Sequence, residues 1–65
     1  KNKTKHKANS LALNDAKVTN YFGYEIEFEN DDETYEISFD TKDSEYEYVI
    51  DAKTGKIIER EVDRD

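Results

Sequence analysis

Three stretches of the chain alternate between apolar and polar residues, which is the period of a β-strand with one buried face. They predict strands over residues 24–29, 34–40 and 45–51. Polar, turn-forming residues at 30–33 and 41–44 connect them, and such short connections favour antiparallel hairpins in a meander. One face of the predicted sheet then carries Tyr24, Ile26, Phe28, Tyr35, Ile37, Phe39, Tyr46, Tyr48 and Ile50.

A turn and a returning strand follow the third predicted strand. Asp51 and Thr54 can hydrogen-bond to nearby backbone, and Gly55 can adopt a positive φ because it has no Cβ. The fourth strand is predicted from about Lys56 to Glu61, and Ile57 or Ile58 should close one end of the core. The residues of this hairpin that form a structural motif are Tyr46, Tyr48, Ile50, Asp51, Thr54 and Gly55.

A helical period precedes the first strand, between about His6 and Ala16. Apolar residues recur there at spacings of three and four, so they form one stripe along a short helix. Such a helix is marginal alone and needs a surface, while the sheet needs a cover for its apolar face. The stripe consists of Ala8, Leu11, Ala12 and Ala16.

The predicted fold is therefore α+β, with one N-terminal helix packed on one face of a three- to four-stranded antiparallel meander sheet. We expect residues 1–5 to form a disordered basic tail and residues 62–65 to be a frayed C-terminus. A single domain would then span residues 6–61.

Composition narrows the possible functions. The 65 residues include no cysteine and one histidine, so neither a disulfide nor a thiolate or histidine-rich metal site is predicted. Four lysines lie in the first seven residues, and the remainder carries a net charge of −11. An acidic body repels phosphate backbones, which argues against nucleic acid as a partner. No apolar run approaches the ~20 residues of a membrane span, so membrane contact would require an anchor outside this sequence.

The polar face of the predicted sheet is strongly acidic. Like charges that lie opposite each other on paired strands destabilise a sheet by roughly 0.2–1 kcal/mol per pair. One hypothesis is a docking surface for a basic partner or for loosely held Ca²⁺. The other is a solubilising face that discourages aggregation through the sheet edges. The candidate residues are Glu25, Glu27, Glu29, Glu36, Asp40, Glu45 and Glu47.

Nothing in the sequence indicates catalysis. It contains neither a Ser–His or Cys–His pair, nor a glycine-rich phosphate loop, nor a zinc-peptidase motif. Carboxylates on an open sheet face are solvated and lack the burial that raises the pKa of a catalytic acid. The acidic turns do not have the spacing of a calcium-binding EF-hand. We therefore predict a non-enzymatic protein without a cofactor or a metal ligand set.

Three segments resemble the PepSY domain family. Residues 7–18 (K-A-N-S-L-A-L-N-D-A-K-V) resemble the family's helix, K-A-x-x-x-A-L-x-x-A-G-V, and residues 35–39 (Y-E-I-S-F) its strand Y-E-V-x-F. Residues 46–58 (Y-E-Y-V-I-D-A-K-T-G-K-I-I) are similar to its terminal motif, Y-x-Y-x-I-D-A-x-T-G-K-I-L. Two positions depart from the pattern. Lys17 replaces the usual glycine, so we expect a different helix-ending turn or a strained residue there, and Val49 places an aliphatic side chain on the acidic face.

The resemblance implies a function in protein binding. Domains of this family occur in propeptides of thermolysin-like zinc metallopeptidases and in secreted or membrane-tethered bacterial proteins. It implies a non-catalytic module of the bacterial cell envelope or extracellular space that restrains a peptidase or binds an extended peptide, for which the free sheet edges are suited. There are two alternatives. One is a structural or assembly module of a larger envelope protein that can pair with itself as a homodimer. The other is an acidic surface domain that binds cations weakly.

Overall fold

The computed structural model describes residues 3–64, with side chains from residue 5 onward. Within this part the chain forms a helix followed by a sheet in which each strand is antiparallel to its neighbour in the order β1-β2-β3-β4. The elements are α1 (Lys3–Ala16), β1 (Phe22–Glu29), β2 (Thr34–Asp40), β3 (Ser44–Asp51) and β4 (Ile57–Arg64). The predicted α+β meander is confirmed, with four strands.

Two element boundaries differ from the prediction. The helix begins at Lys3 rather than at about His6, and β4 continues to Arg64 rather than ending at Glu61. Residues 3–5 are therefore helical where a disordered tail was expected, and residues 62–64 pair with β3 where fraying was expected. In both segments the backbone hydrogen bonding continues through residues that are exposed or polar, so no buried apolar pattern marks the extension. The remaining positions of these two segments lie outside the described residues.

The core lies between the helix and the two central strands. The small side chains of Ala8 and Ala12 allow the helix backbone to approach the sheet closely, and both are buried. Each large apolar side chain buried beneath them contributes roughly 1.5–3 kcal/mol to the free energy of unfolding. These side chains are Ile37, Phe39, Tyr48 and Ile50. The predicted inner face of β2 and β3 thus forms the side of the core that faces the helix.

The edge strands are covered less completely, because the helix packs mainly on β2 and β3. Tyr24 and Ile26 of β1 are half-buried against the core. Phe28, predicted on the same face, lies opposite Tyr35 with ring centroids 5.2 Å apart, yet it remains 50% exposed. Ile57 packs on the end of the core as expected.

The helix ends with Lys17 in the left-handed region, at φ 57°. The amide of Val18 donates to the carbonyl oxygen of Leu13 at 3.4 Å, and the amide of Lys17 donates to that of Asn14 at 3.2 Å. This is the Schellman pattern, which glycine adopts with least strain. The expectation of a strained non-glycine residue at this position is confirmed.

Candidate protein-binding surfaces

The β3–β4 turn contains the predicted motif residues Asp51, Thr54 and Gly55, and its polar groups form hydrogen bonds within the turn itself. Oδ1 of Asp51 accepts hydrogen bonds from the amides of Lys53 and Thr54 at 2.7 and 3.0 Å. The bond from the Thr54 amide, followed by that from the Lys53 amide, lowers the pKa of Asp51. The hydroxyl oxygen of Thr54 accepts from the amide of Lys56, and Gly55 sits at φ 77°. The arrangement explains why the turn needs these residue types without invoking a ligand.

A groove of about 310 Å³ separates this turn from the N-terminal half of the helix. Leu11 forms part of its wall and would lie 3.5 Å from a Cβ placed at Gly55. The amide of Ala52 donates to the carbonyl oxygen of Glu33 at 3.0 Å, and Lys53 forms an exposed ion pair with the Glu33 carboxylate. Ala8, Leu11 and Ile50 contribute apolar lining to the groove, and its Ala52–Lys53 side contacts the β1–β2 loop.

The face of the sheet opposite the helix brings together the seven carboxylates predicted from the sequence. Glu27 lies directly opposite Glu36 across β1 and β2, and Asp40 lies opposite Glu45 across β2 and β3. The remaining members occupy the same face by strand alternation. They are Glu25, Glu29 and Glu47. We refer to this surface as the acidic face.

Three further carboxylates on the acidic face were missed by the sequence reasoning. Glu59, Glu61 and Asp63 of β4 lie opposite Val49, Glu47 and Glu45 of β3. They were overlooked because the other face of β4 carries Arg60 and Arg64, so the apolar alternation that identified the first three strands is absent there. The alternation of acids at odd positions with arginine or valine at even positions from 59 to 64 was the available signal.

Glu47 and Glu61 lie directly opposite each other across β3 and β4 on the acidic face. A side-chain hydrogen bond between them raises the pKa of Glu47, and partial desolvation and the charges of Glu61 and Glu36 add to this effect. Both side chains are nevertheless exposed to solvent. With both carboxyls ionised the pair is therefore a repulsive contact, which a shared proton or a cationic neighbour would relieve.

Strand β4 is an open edge of the sheet. It pairs with β3 on one side, and no described strand pairs with its other side. A bulge displaces Ile58 at its start, after which residues 59–64 run in regular register, and all of them are exposed. The other edge, β1, is interrupted near Gly23, which has φ 63°. Of the two edges, β4 thus offers the longer regular run of unpaired backbone groups.

The helix side of β4 has a different character from the acidic face. Arg60, Val62 and Arg64 project there beside Tyr46, and they form an open trough along the C-terminal end of the helix. Nη1 of Arg60 donates to Oδ2 of Asp15 at 2.9 Å. That bond and a second one from the Tyr48 hydroxyl lower the pKa of Asp15. Successive side chains of β4 therefore alternate in charge between the two faces.

The described residues contain neither a cluster suited to a metal nor a membrane span. Among residues 3–64, no three His, Cys, Asp or Glu side chains are placed to hold one ion. The helix in this part of the chain is also too short and too polar to cross a bilayer.

Comparison with known proteins places the chain in a family. The family model described as peptidase propeptide and YPEB domain, PepSY, matches residues 3–61, from the first turn of the helix into β4. Neither the curated proteins nor the solved structures gave a match. Domains of this family are propeptide- or inhibitor-type modules, generally non-catalytic, and they occur in secreted or envelope proteins. This chain, matched over nearly its whole length, belongs to the PepSY family.

Proposed function

We propose that this chain is a non-catalytic binding module of the bacterial cell envelope, or of a secreted parent protein, that restrains a peptidase by docking through an edge of its sheet. The family match supports a peptidase as the partner. The observation that carries the proposal is β4, an exposed edge strand with a regular run from Glu59 to Arg64.

An open edge strand is a ready template for an extended chain. Its outward backbone N–H and C=O groups can form a new antiparallel or parallel ladder with an added strand, and the alternating side chains supply specificity. Six residues of β-strand span about 20 Å. That length suits a surface loop of a peptidase or the extended segment that such an enzyme would otherwise cleave.

A binding role also agrees with the chemistry of the carboxylates. The acidic face is solvated, and the pKa of Glu47 is raised beside Glu61. Like-charged residues on an open face favour a cationic partner over a buried reaction centre.

The test is inhibition of a thermolysin-like zinc metallopeptidase from the envelope. The chain is titrated into the enzyme while hydrolysis of a fluorogenic peptide is recorded, and the mixture is run on a sizing column. We expect turnover to fall with increasing chain concentration and the two proteins to elute together. Unchanged turnover at a large molar excess, without a complex on the column, would overturn the proposal for that enzyme.

A pair of proline variants tests whether the edge is used. Adjacent amides along a strand point to opposite edges, so Glu61→Pro and Val62→Pro remove one amide directed at β3 and one directed outward. The variant that retains its melting temperature is the outward one, and we expect it to lose inhibition. Full inhibition by that stable variant would contradict docking at β4.

A further inference from the structure

We infer that the β4 edge selects an extended partner segment with lysine or arginine at every second position, facing Glu59, Glu61 and Asp63. This inference rests on the proposed docking function, and it specifies which edge is used and what chemistry the partner must have. The occupant is a segment of a different protein rather than a second copy of this chain.

The first step is the separation of charge on β4. Successive side chains of a strand point to opposite faces. Glu59, Glu61 and Asp63 therefore lie on the acidic face, while Arg60 and Arg64 lie on the helix side. A strand added to β4 would place alternate side chains within about 5 Å of these two sets, measured between Cβ atoms. The edge thus imposes a charge pattern of period two on its partner.

The second step is the environment of the β4 acids. On the β3 side, Glu61 and Asp63 already face Glu47 and Glu45. This row lines a small surface groove with Val62 at its border. The open side of β4 is therefore where a cationic side chain can approach these carboxylates. A neutral or acidic side chain there would leave the repulsion in place.

The helix side of β4 sets the other half of the pattern. Arg60 is held by Asp15 through the 2.9 Å contact between Nη1 and Oδ2. Val62 and Arg64 border the open trough beside Tyr46. Apolar or acidic side chains suit this trough, whereas basic ones would meet the two arginines. A partner strand is therefore accommodated with its basic side chains on the acidic face.

A second copy of this chain does not supply such a strand. If β4 paired with β4 of a second copy with the two sheets continuous, acids would meet acids on the shared outer face. Pairing with β1 of a second copy would bring Glu25, Glu27 and Glu29 against the same residues. Each like-charged pair destabilises the association. Charge complementarity thus selects a basic partner of different sequence.

Two labelled heptapeptides of equal composition test the pattern. The peptide K-E-K-V-K-E-K places its lysines on one face of a strand, and K-K-E-V-E-K-K distributes them over both. Fluorescence anisotropy measures their affinity for the chain. We expect the alternating peptide to bind at least about tenfold more tightly, since several favourable pairs of modest energy are gained together. Equal affinities of the two peptides would overturn the inference.

Two triple variants locate the edge. Glu59→Lys, Glu61→Lys and Asp63→Lys reverse the β4 acids, and Glu25→Lys, Glu27→Lys and Glu29→Lys make the matched change in net charge on β1. We expect the alternating peptide to bind the β1 variant nearly as well as the wild type and the β4 variant at least about tenfold more weakly. Equal losses of peptide affinity in the two variants would show that only net charge matters. A loss of affinity confined to the β1 variant would show that the peptide docks on β1. Either result would overturn the inference.

Folding and the proposed function are checked separately. The β4 reversals place lysines opposite Glu47 and Glu45, so the melting temperature of that variant should not fall. Both variants are also titrated into the peptidase. If the β4 variant inhibits the peptidase as fully as the wild type does, the inferred pattern of alternating basic residues is refuted. The proposed function then remains intact. Absence of inhibition by the wild type, together with selective peptide binding, would refute the proposed function alone.

Discussion

The hydroxyl of Tyr48 donates a hydrogen bond of 2.9 Å to Oδ2 of Asp15, thirty-three positions away in the chain. Tyr48 is 1% exposed in the middle of β3, and Asp15 lies in the last turn of the helix. The same carboxylate oxygen accepts from Arg60 of β4. One partly exposed oxygen therefore joins the helix to the central and edge strands. The Arg60 contact is solvated and contributes little alone, whereas the Tyr48 bond is shielded on the phenol side.

Removal of the Tyr48 hydroxyl tests this connection. Tyr48→Phe keeps the ring volume and deletes the bond to the Asp15 carboxylate. We expect the free energy of unfolding to fall by about 1–2 kcal/mol, as measured by urea denaturation. Tyr46→Phe is the matched control, because Tyr46 lies on the same face of β3 and its hydroxyl makes no hydrogen bond within the described residues. Equal losses in the two variants would contradict a specific role for the bond.

The acid sensitivity of Asp15 gives a second prediction. Its pKa is lowered from the usual 3.8 by the hydrogen bonds from Arg60 and Tyr48, so the folded state holds the ionised form more tightly than the unfolded state does. That stabilisation is present above the unfolded pKa and is lost as the pH falls through the folded pKa. Asp15→Asn should therefore be less stable than the wild type at neutral pH.

The difference in stability between the wild type and Asp15→Asn should shrink as the pH falls below about 4. Urea titrations across this range measure it. The control is Asp32→Asn, which changes an exposed acid of the β1–β2 loop. A difference for Asp15→Asn that stays constant with pH would show that the ionised carboxylate is not the stabilising form.

The end of the helix offers a stabilising substitution. Lys17 occupies a left-handed conformation at φ 57°, which strains any residue with a Cβ. Lys17→Gly should raise the free energy of unfolding by about 1 kcal/mol. Lys17→Ala removes the same charge and retains the Cβ, so it should give little gain. A gain of equal size in the alanine variant would assign the effect to charge rather than to backbone strain. The urea midpoint measures both.

The fold followed from the sequence because its core obeys two simple periods. Ile37 and Phe39 alternate with polar neighbours on β2, and Ala8 and Ala12 repeat on the helix. The ends of the elements were predicted less well from the sequence. At Lys3 and Arg64 only backbone hydrogen bonding continues, and their polar side chains give no pattern of burial. Phe28 shows a further limit. Its strand face was predicted correctly, but its 50% exposure depends on where the helix lies.

The candidate surface was predictable in part. Strand alternation in the sequence alone places Glu25, Glu36 and Glu47 on one face. The acids of β4 were missed because that strand has arginines on its inner side and hence no apolar alternation. The contact between Asp15 and Arg60 could not be predicted, because forty-five positions separate them and no local pattern connects them.

The Glu47–Glu61 contact leads to a prediction for the pH dependence of stability that is opposite in sign to that for Asp15. The pKa of Glu47 is raised above its usual 4.5, first by the hydrogen bond with Glu61. The folded state therefore disfavours the ionised form. The stability associated with protonated Glu47 is fully present below the unfolded pKa and is lost as the pH rises through the folded pKa.

Glu47→Gln should thus stabilise the chain at neutral pH by roughly 0.2–1 kcal/mol, the range for like charges on paired strands. The gain should vanish near pH ~4, where the wild-type side chain takes up its proton in both states, and it should shrink at high salt because the repulsion is screened. Glu59→Gln is the matched control, since its cross-strand neighbour is the uncharged Val49, and its gain should be smaller. Thermal melts at two pH values and two salt concentrations measure all three effects. A neutral-pH gain no larger for Glu47→Gln than for Glu59→Gln would show that repulsion within the acidic face is diffuse rather than centred on the Glu47–Glu61 pair.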